Sequence, residues 1–280
     1  MREHYTHTVG PPLDHYVRLA VGYRYAGGPA GVHIGLPSGL LTLVVPFEEP
    51  LLLSGGGLDT PTPFDGVLAG LATAPTLVHH KGHQHGLQLS LTPAGARAVF
   101  GVPAAELAER SVELEDVVGR LARSLREELE GYATWPERFA AVERVLLVLV
   151  RQYDRGAGVR PEVGEAWRLI RQSRGLTPVR AVAAGVGWST RHLEQRFRSE
   201  FGITPKAAVR LTRFERSVSA ARDPGRRLAD VAAECGYADQ AHLAREWRDL
   251  AGLPPSRWRV EDDFAFVQDG SDEALAASSA

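Results

Sequence analysis

Four histidines fall within seven residues, His79, His80, His83 and His85, in the run HHKGHQH. Imidazole is a ligand for zinc, iron and nickel, so three of them turned inward would make a metal site in a cupin-like barrel, and with it an enzyme. Two features weigh against that reading. Along a strand only alternate residues share a face, and no carboxylate lies close by in sequence. Gly82 and Gly86 break up the run, which reads as an exposed polar hairpin, with no metal and no cofactor expected. Cys235 is the one cysteine; it falls in a helical pattern and reads as core. Gly55-Gly56-Gly57 lacks the lysine and the following helix of a phosphate-binding loop and reads as a turn. No hydrolytic triad or carboxylate pair stands out, and the chain is not expected to be an enzyme.

A second kind of chemistry is better supported. Arg191 lies three and four residues before Glu194 and Gln195, and Arg198 lies four and three after them, with Thr190 beside the set. That spacing puts them on one helix face. Arg and Gln carry the planar donor and acceptor groups that read base edges in a major groove. Gln240, Ala241, Ala244, Arg245 and Arg248 form a matching stripe, in which small Ala244 would permit close approach to a thymine methyl.

The stripes need elements to hold them, and the chain supplies the same one twice. TPVRAVAAGVGWSTRHLEQRFRSEFGITPK (177–206) and RRLADVAAECGYADQAHLAREWRDLAGLPPS (226–256) share one pattern. Leu193 answers to Leu243, Phe197 to Trp247, Gly202 to Gly252 and Pro205 to Pro255, each pair separated by 50. A fixed internal period indicates one supersecondary unit used twice. Each copy reads as a short helix, a tight turn and a second helix anchored by Leu193 and Phe197, or by Leu243 and Trp247. Gly187 suits the left-handed position after a helix, and Ser189 suits the cap of the next. In the second copy the turn is one residue longer and Asp239 is the expected cap. Gly185 should soften the first short helix by up to about 1 kcal/mol relative to Ala.

Charge supports an anionic partner for this block alone. Residues 162–260 carry 18 Lys+Arg against 11 Asp+Glu, whereas 1–161 carry 14 against 17 and 261–280 carry none against 6. The whole chain sums to −2 over 280 residues. Candidate phosphate contacts around the stripes are Arg198, Lys206, Arg226, Arg227, Arg248 and Arg259. No apolar run is long enough to span a bilayer, no secretion signal opens the chain, and a single cysteine fits a reducing compartment, so a cytoplasmic location with no membrane partner is expected.

The remaining sequence divides accordingly. Residues 1–92 hold short apolar runs (AGVHIGL, GLLTLVVPF, PLLLSG, GVLAGLAT, PTLVHH, GLQLSLT) punctuated by Gly, Pro and Ser, the pattern of an antiparallel barrel or sandwich. Helices are expected at Pro93–Phe100, Pro103–Arg110, Leu114–Leu129 and from Pro136 to about Tyr153. DRGAGVRP (154–161) reads as a linker. The fold class is therefore α+β in two domains: a β-rich domain with appended helices (1–153), then an all-α domain (162–260), with an acidic tail (261–280) expected to be disordered.

Residues 162–260 resemble the DNA-binding domain of AraC/XylS-type transcription regulators. The likeness rests on A-x-x-x-G-x-S-x-x-x-L-x-x-x-F from Ala183, F-G-x-T-P from Phe201, L-A-D-x-A-x-x-x-G-Y-x-D-Q-x-H-L-x-R-E from Leu228 and G-L-x-P-x-x-W-R from Gly252. It implies about seven helices, with two helix-turn-helix units held by a long middle helix. It also implies base reading of double-stranded DNA by Thr190, Arg191, Glu194, Gln195, Gln240, Ala241, Ala244 and Arg245. By the same analogy the β-rich domain senses a small effector or drives homodimerisation, and RNA polymerase is a partner if the protein activates. The expected pocket residues are Tyr23, Tyr25, His33, His85 and Gln88. An architectural DNA binder without a ligand is the competing DNA-binding reading.

Overall fold

The computed structural model describes residues 2–153 and 158–261. Part of the expected linker (154–157) and the tail from 262 onward lie outside the described residues. The first half builds two antiparallel sheets. In the larger, β1 (Arg2–His7), β2 (Val17–Ala26), β9 (His83–Leu91), β4 (Leu41–Pro46), β7 (Val67–Ala69) and β10 (Ser111–Glu113) lie side by side in that order. In the smaller the order is β3 (Gly31–Gly35), β8 (Thr76–His80), β5 (Leu51–Gly55) and β6 (Leu58–Phe64).

Tyr23, Val44 and Val67 of the larger sheet face Leu53, Phe64 and Val78 of the smaller, and these six form a core between the layers. The outer face of the larger sheet packs on α1 (Pro93–Phe100) and α4 (Trp135–Tyr153). Gly22 of β2 makes room for the Trp135 indole, into which any Cβ at that position would run.

Several local expectations need correction. The histidine run is not a hairpin: β8 and β9 belong to different sheets, and the Lys81–Gly82 turn carries the chain from one layer to the other. The helix expected over Leu114–Leu129 is two, α2 (Leu114–Val118) and α3 (Leu121–Gly131), broken at Gly119, which takes a φ of 61°. Pro103–Arg110 forms only a single 3-10 turn at Ala104–Glu106. Among the described residues no helix is long and apolar enough to cross a membrane.

The second half is all-α: α5 (Pro161–Gln172), α6 (Val179–Gly185), α7 (Thr190–Phe201), α8 (Pro205–Ala221), α9 (Leu228–Glu234), α10 (Gln240–Ala251) and α11 (Pro255–Glu261). Pro at the first turn and a Thr204 hydroxyl accepting from the Ala207 amide (3.1 Å) start α8, the central helix on which the others pack.

The two halves touch through specific polar groups. Arg97 of α1 makes a two-pronged bond to Glu200 of α7 (2.6 and 2.9 Å). Glu215 of α8 pairs with Arg171 and accepts from the Gly39 amide at 2.7 Å. A Cβ at 39 would sit 2.8 Å from the Arg171 guanidinium, so a larger residue there would have to displace that side chain.

Candidate nucleic-acid interface

Each helix-turn-helix unit is set from behind by apolar anchors. Leu193, Phe197, Leu243 and Trp247 are all 0% exposed. Burying a leucine side chain is worth about 1.5–3 kcal/mol, so each pair fixes its helix's rotation firmly. Phe197 stacks on Trp167 of α5 (5.7 Å between ring centres), and Trp247 packs against Trp258 of α11 (5.2 Å) and Phe214 of α8 (5.1 Å). The Trp247 indole N–H donates to the Ser217 hydroxyl at 2.8 Å, so this buried donor is met.

The turns follow the same plan. Gly187 and Gly236 adopt φ of 73° and 77°, the left-handed region that glycine enters without steric cost. Ser189 Oγ accepts from the His192 amide (3.2 Å), and Asp239 Oδ1 accepts from the His242 amide (2.6 Å). Replacing Asp239 with Ala is expected to cost about 0.5–2 kcal/mol of domain stability, measured by chemical denaturation.

Two positioning residues escaped the sequence reading. His192 lies edge-on to Trp188 (4.6 Å) and His242 edge-on to Tyr237 (5.3 Å). Each contact ties the first turn of a reader helix to the turn before it. The signal was present, because His192 and His242 are themselves 50 apart.

With the anchors buried, the opposite faces point outward. Thr190, Arg191, Glu194 and Gln195 are exposed, as are Gln240, Ala241 and Arg245, while Ala244 is half-buried. Among the described residues, none of the polar side chains in these two stripes is engaged elsewhere in the fold. The β-rich half meets the end of α7, where Arg97 bonds to Glu200 and Ala105 and Ala108 lie against Gly202, while Thr190, Arg191, Glu194 and Gln195 at its start are exposed.

The surrounding cations differ. Arg198 and Lys206 are exposed. Arg248 is exposed and donates to the Ala244 carbonyl of its own helix (3.3 Å). Arg227 is 3.7 Å from Asp230, and Arg226 pairs with Glu234. Arg259 donates to the carbonyls of Ala221 (2.6 Å) and Arg226 (3.0 Å), tying α11 to the end of α8. Glu246, buried on the inner face of α10, accepts from Arg210 (2.8 Å) and Arg213 (3.1 Å) of α8, bracing the second reader. Cys235 is buried, and burial pushes its thiol up to about 11, which suits a core residue.

Residues 182–261 match the family model described as a helix-turn-helix domain. The C-terminal half thus contains a helix-turn-helix domain. Solved structures extend the likeness to the whole fold. ToxT from Vibrio cholerae is 9% identical over 86% of this chain and 98% of its own, with a TM-score of 0.52. A crystal structure of wild-type ToxT from Vibrio cholerae strain SCE256 with an unsaturated fatty acid gives 9%, 86%, 94% and 0.52. A transcriptional regulator from Chromobacterium violaceum with an AraC-type DNA-binding domain is 21% identical over 37% of this chain and 94% of its own, at a TM-score of 0.35. A sequence search of curated proteins gives no match. The β-rich half thus joins the helix-turn-helix domain in a two-domain fold shared with ToxT.

The five residues expected to line a ligand pocket separate in the structure. Tyr23, His33 and Gln88 line a cavity of about 150 Å³ between the two sheets. His85 lies instead in an open cleft of about 490 Å³, with Tyr23 shared between the two. Tyr25 lines neither; its ring lies edge-on to His80 at 6.1 Å. All four histidines of the 79–85 run border this pocket of about 490 Å³. His79 bonds with the Ser54 hydroxyl (2.7 Å), His85 with Glu48 (3.0 Å), and His83 lies 3.4 Å from Glu49. Among the described residues no three His, Cys, Asp or Glu side chains converge as a metal site.

Proposed function

We propose that the protein is a sequence-specific DNA-binding transcription regulator. Helices α7 and α10 would enter two successive major grooves on one face of the duplex, a helical turn of roughly 34 Å apart. Thr190, Arg191, Glu194, Gln195, Gln240, Ala241, Ala244 and Arg245 face base edges in this reading. Arg198, Lys206, Arg227 and Arg248 flank them at the backbone. Arg226 and Arg259 have carboxylate and carbonyl partners already, and they contribute chiefly through the field of the basic block. The observation that carries the reading is the pairing of two buried anchor sets with two outward polar stripes whose side chains the fold leaves unengaged.

A small effector in the cavity between the sheets would modulate DNA binding. Support comes from its position: the segment holding Gly39 lines the cavity and also bonds to Glu215 of α8. ToxT, which shares the fold, has been crystallised with an unsaturated fatty acid. Homodimerisation and contact with RNA polymerase belong to the same proposal.

Selection of bound sequences from a random DNA pool by the full chain is the direct test. A defined motif with two elements one turn apart is expected. Sequence-tolerant binding would instead favour an architectural role. Once a site is known, Arg245→Ala is expected to weaken specific binding by about 1–3 kcal/mol and relax one base preference, leaving the salt slope nearly unchanged. A uniform loss across sequences, with the slope reduced by about one, would reassign Arg245 to a phosphate.

A further inference from the structure

The cavity between the sheets differs from the rest of the molecule in its electrostatics. Arg110 is the one charged side chain that lines it, and Arg110 is exposed. Leu36, Val44, Leu53, Val67 and Val78 supply apolar walls. Ser38, Thr42, Thr76 and Ser111 bring hydroxyls, and the larger uncharged polar side chains are Tyr23, His33, Gln84 and Gln88. All four are neutral where they stand. Burial raises the Tyr23 phenol well above its ordinary value, and burial together with His80 holds the His33 imidazole down at about 3.

An anion placed there would lose its hydration without meeting a buried positive charge, which is strongly unfavourable. A neutral hydroxyl, amide or carbonyl would exchange water for phenol, imidazole and amide partners, and its apolar body would gain from leaving water. At about 150 Å³ the space is of the size that holds a single aromatic ring. Building on the regulator reading above, we propose that this cavity binds a small uncharged molecule, apolar over most of its surface and carrying one hydrogen-bonding pole.

The walls also explain how occupancy would reach the DNA-binding half. Pro37 and Ser38 line the cavity beside Gly39, whose amide donates to Glu215 of α8. Ala74 and Thr76 line it on either side of Pro75, which lies against Gly252 at the end of α10. A ligand that orders these two segments acts on the supports of the readers from behind.

Benzyl alcohol and benzoate separate the ligand classes, since they share a ring and differ in charge. Calorimetry on the full chain at neutral pH is expected to show benzyl alcohol binding at least tenfold more tightly than benzoate. Gln88→Leu, checked for retained fold by circular dichroism, is expected to reduce the alcohol's affinity several-fold. Benzyl alcohol is also expected to shift the affinity of the full chain for its selected DNA site. Tighter binding of benzoate, abolished by Arg110→Gln, would overturn the proposed ligand class and leave the effector reading standing. Binding of neither probe would overturn the cavity proposal. The regulator reading is decided separately, by whether the probe-free protein selects a DNA motif.

Discussion

Trp247→Ala is expected to destabilise the helix-turn-helix domain by about 3–5 kcal/mol, the range for emptying a buried aromatic site. Trp247 is 0% exposed and contacts Phe214 and Trp258, so its removal leaves a cavity bounded by two aromatic rings. It also takes the indole N–H away from the buried Ser217 hydroxyl, which keeps its own bond to the Phe214 carbonyl (2.8 Å). Denaturant unfolding followed by far-ultraviolet circular dichroism measures the loss, and DNA binding should fall with it even though residue 247 faces away from the duplex. Trp247→Phe is expected to recover most of the packing and little of the hydrogen bond. If Trp247→Ala left stability within about 0.5 kcal/mol, the surface range for ordinary substitutions, the anchor assignment would be wrong.

Arg191→Ala combined with Arg245→Ala is expected to remove about 2–6 kcal/mol of discrimination between the selected site and competitor DNA. Each bidentate base contact contributes about 1–3 kcal/mol, and losses at well-separated positions add roughly. The two arginines sit on different reader helices and share no partner among the described residues, so strong coupling between them is not expected. Non-specific affinity should fall far less, because the surrounding cations remain. Equal losses on both DNA types would move these arginines from base edges to the backbone.

The helical half was legible in the sequence because its constraints are local. Apolar spacing, glycines after helices and Ser or Asp caps each act within a few residues, and the period of 50 checked one copy against the other. The β-rich half was less so. An alternating pattern marks a strand without naming its neighbour, and hence the run from His79 to His85 gave no hint that its halves join different sheets. β6 contains two prolines and was not read as a strand; it lies at the edge of its sheet, where proline is tolerated. β1, of sequence REHYTH, is an edge strand too. The bonds from Arg97 to Glu200 and from Gly39 to Glu215 span 103 and 176 residues, and a single sequence carries no sign of such partnerships. For the same reason the cavity could be guessed only in part. Tyr23, His33 and Gln88 come together there because strands from two sheets meet, not because of their spacing.

The bracing of α10 onto α8 has a consequence for binding strength. Arg210 and Arg213 hold Glu246, so the second reader is fixed to the same 17-residue helix that follows the first. Once one reader has docked, the other is presented to its groove at a high effective concentration, with little orientational freedom left to lose. Two individually weak contacts then multiply toward one tight complex, on the condition that the DNA spacing matches the protein's own. In the proposed reading, a duplex with its two elements out of phase offers the same base pairs and forfeits that gain, so spacing is selected along with bases.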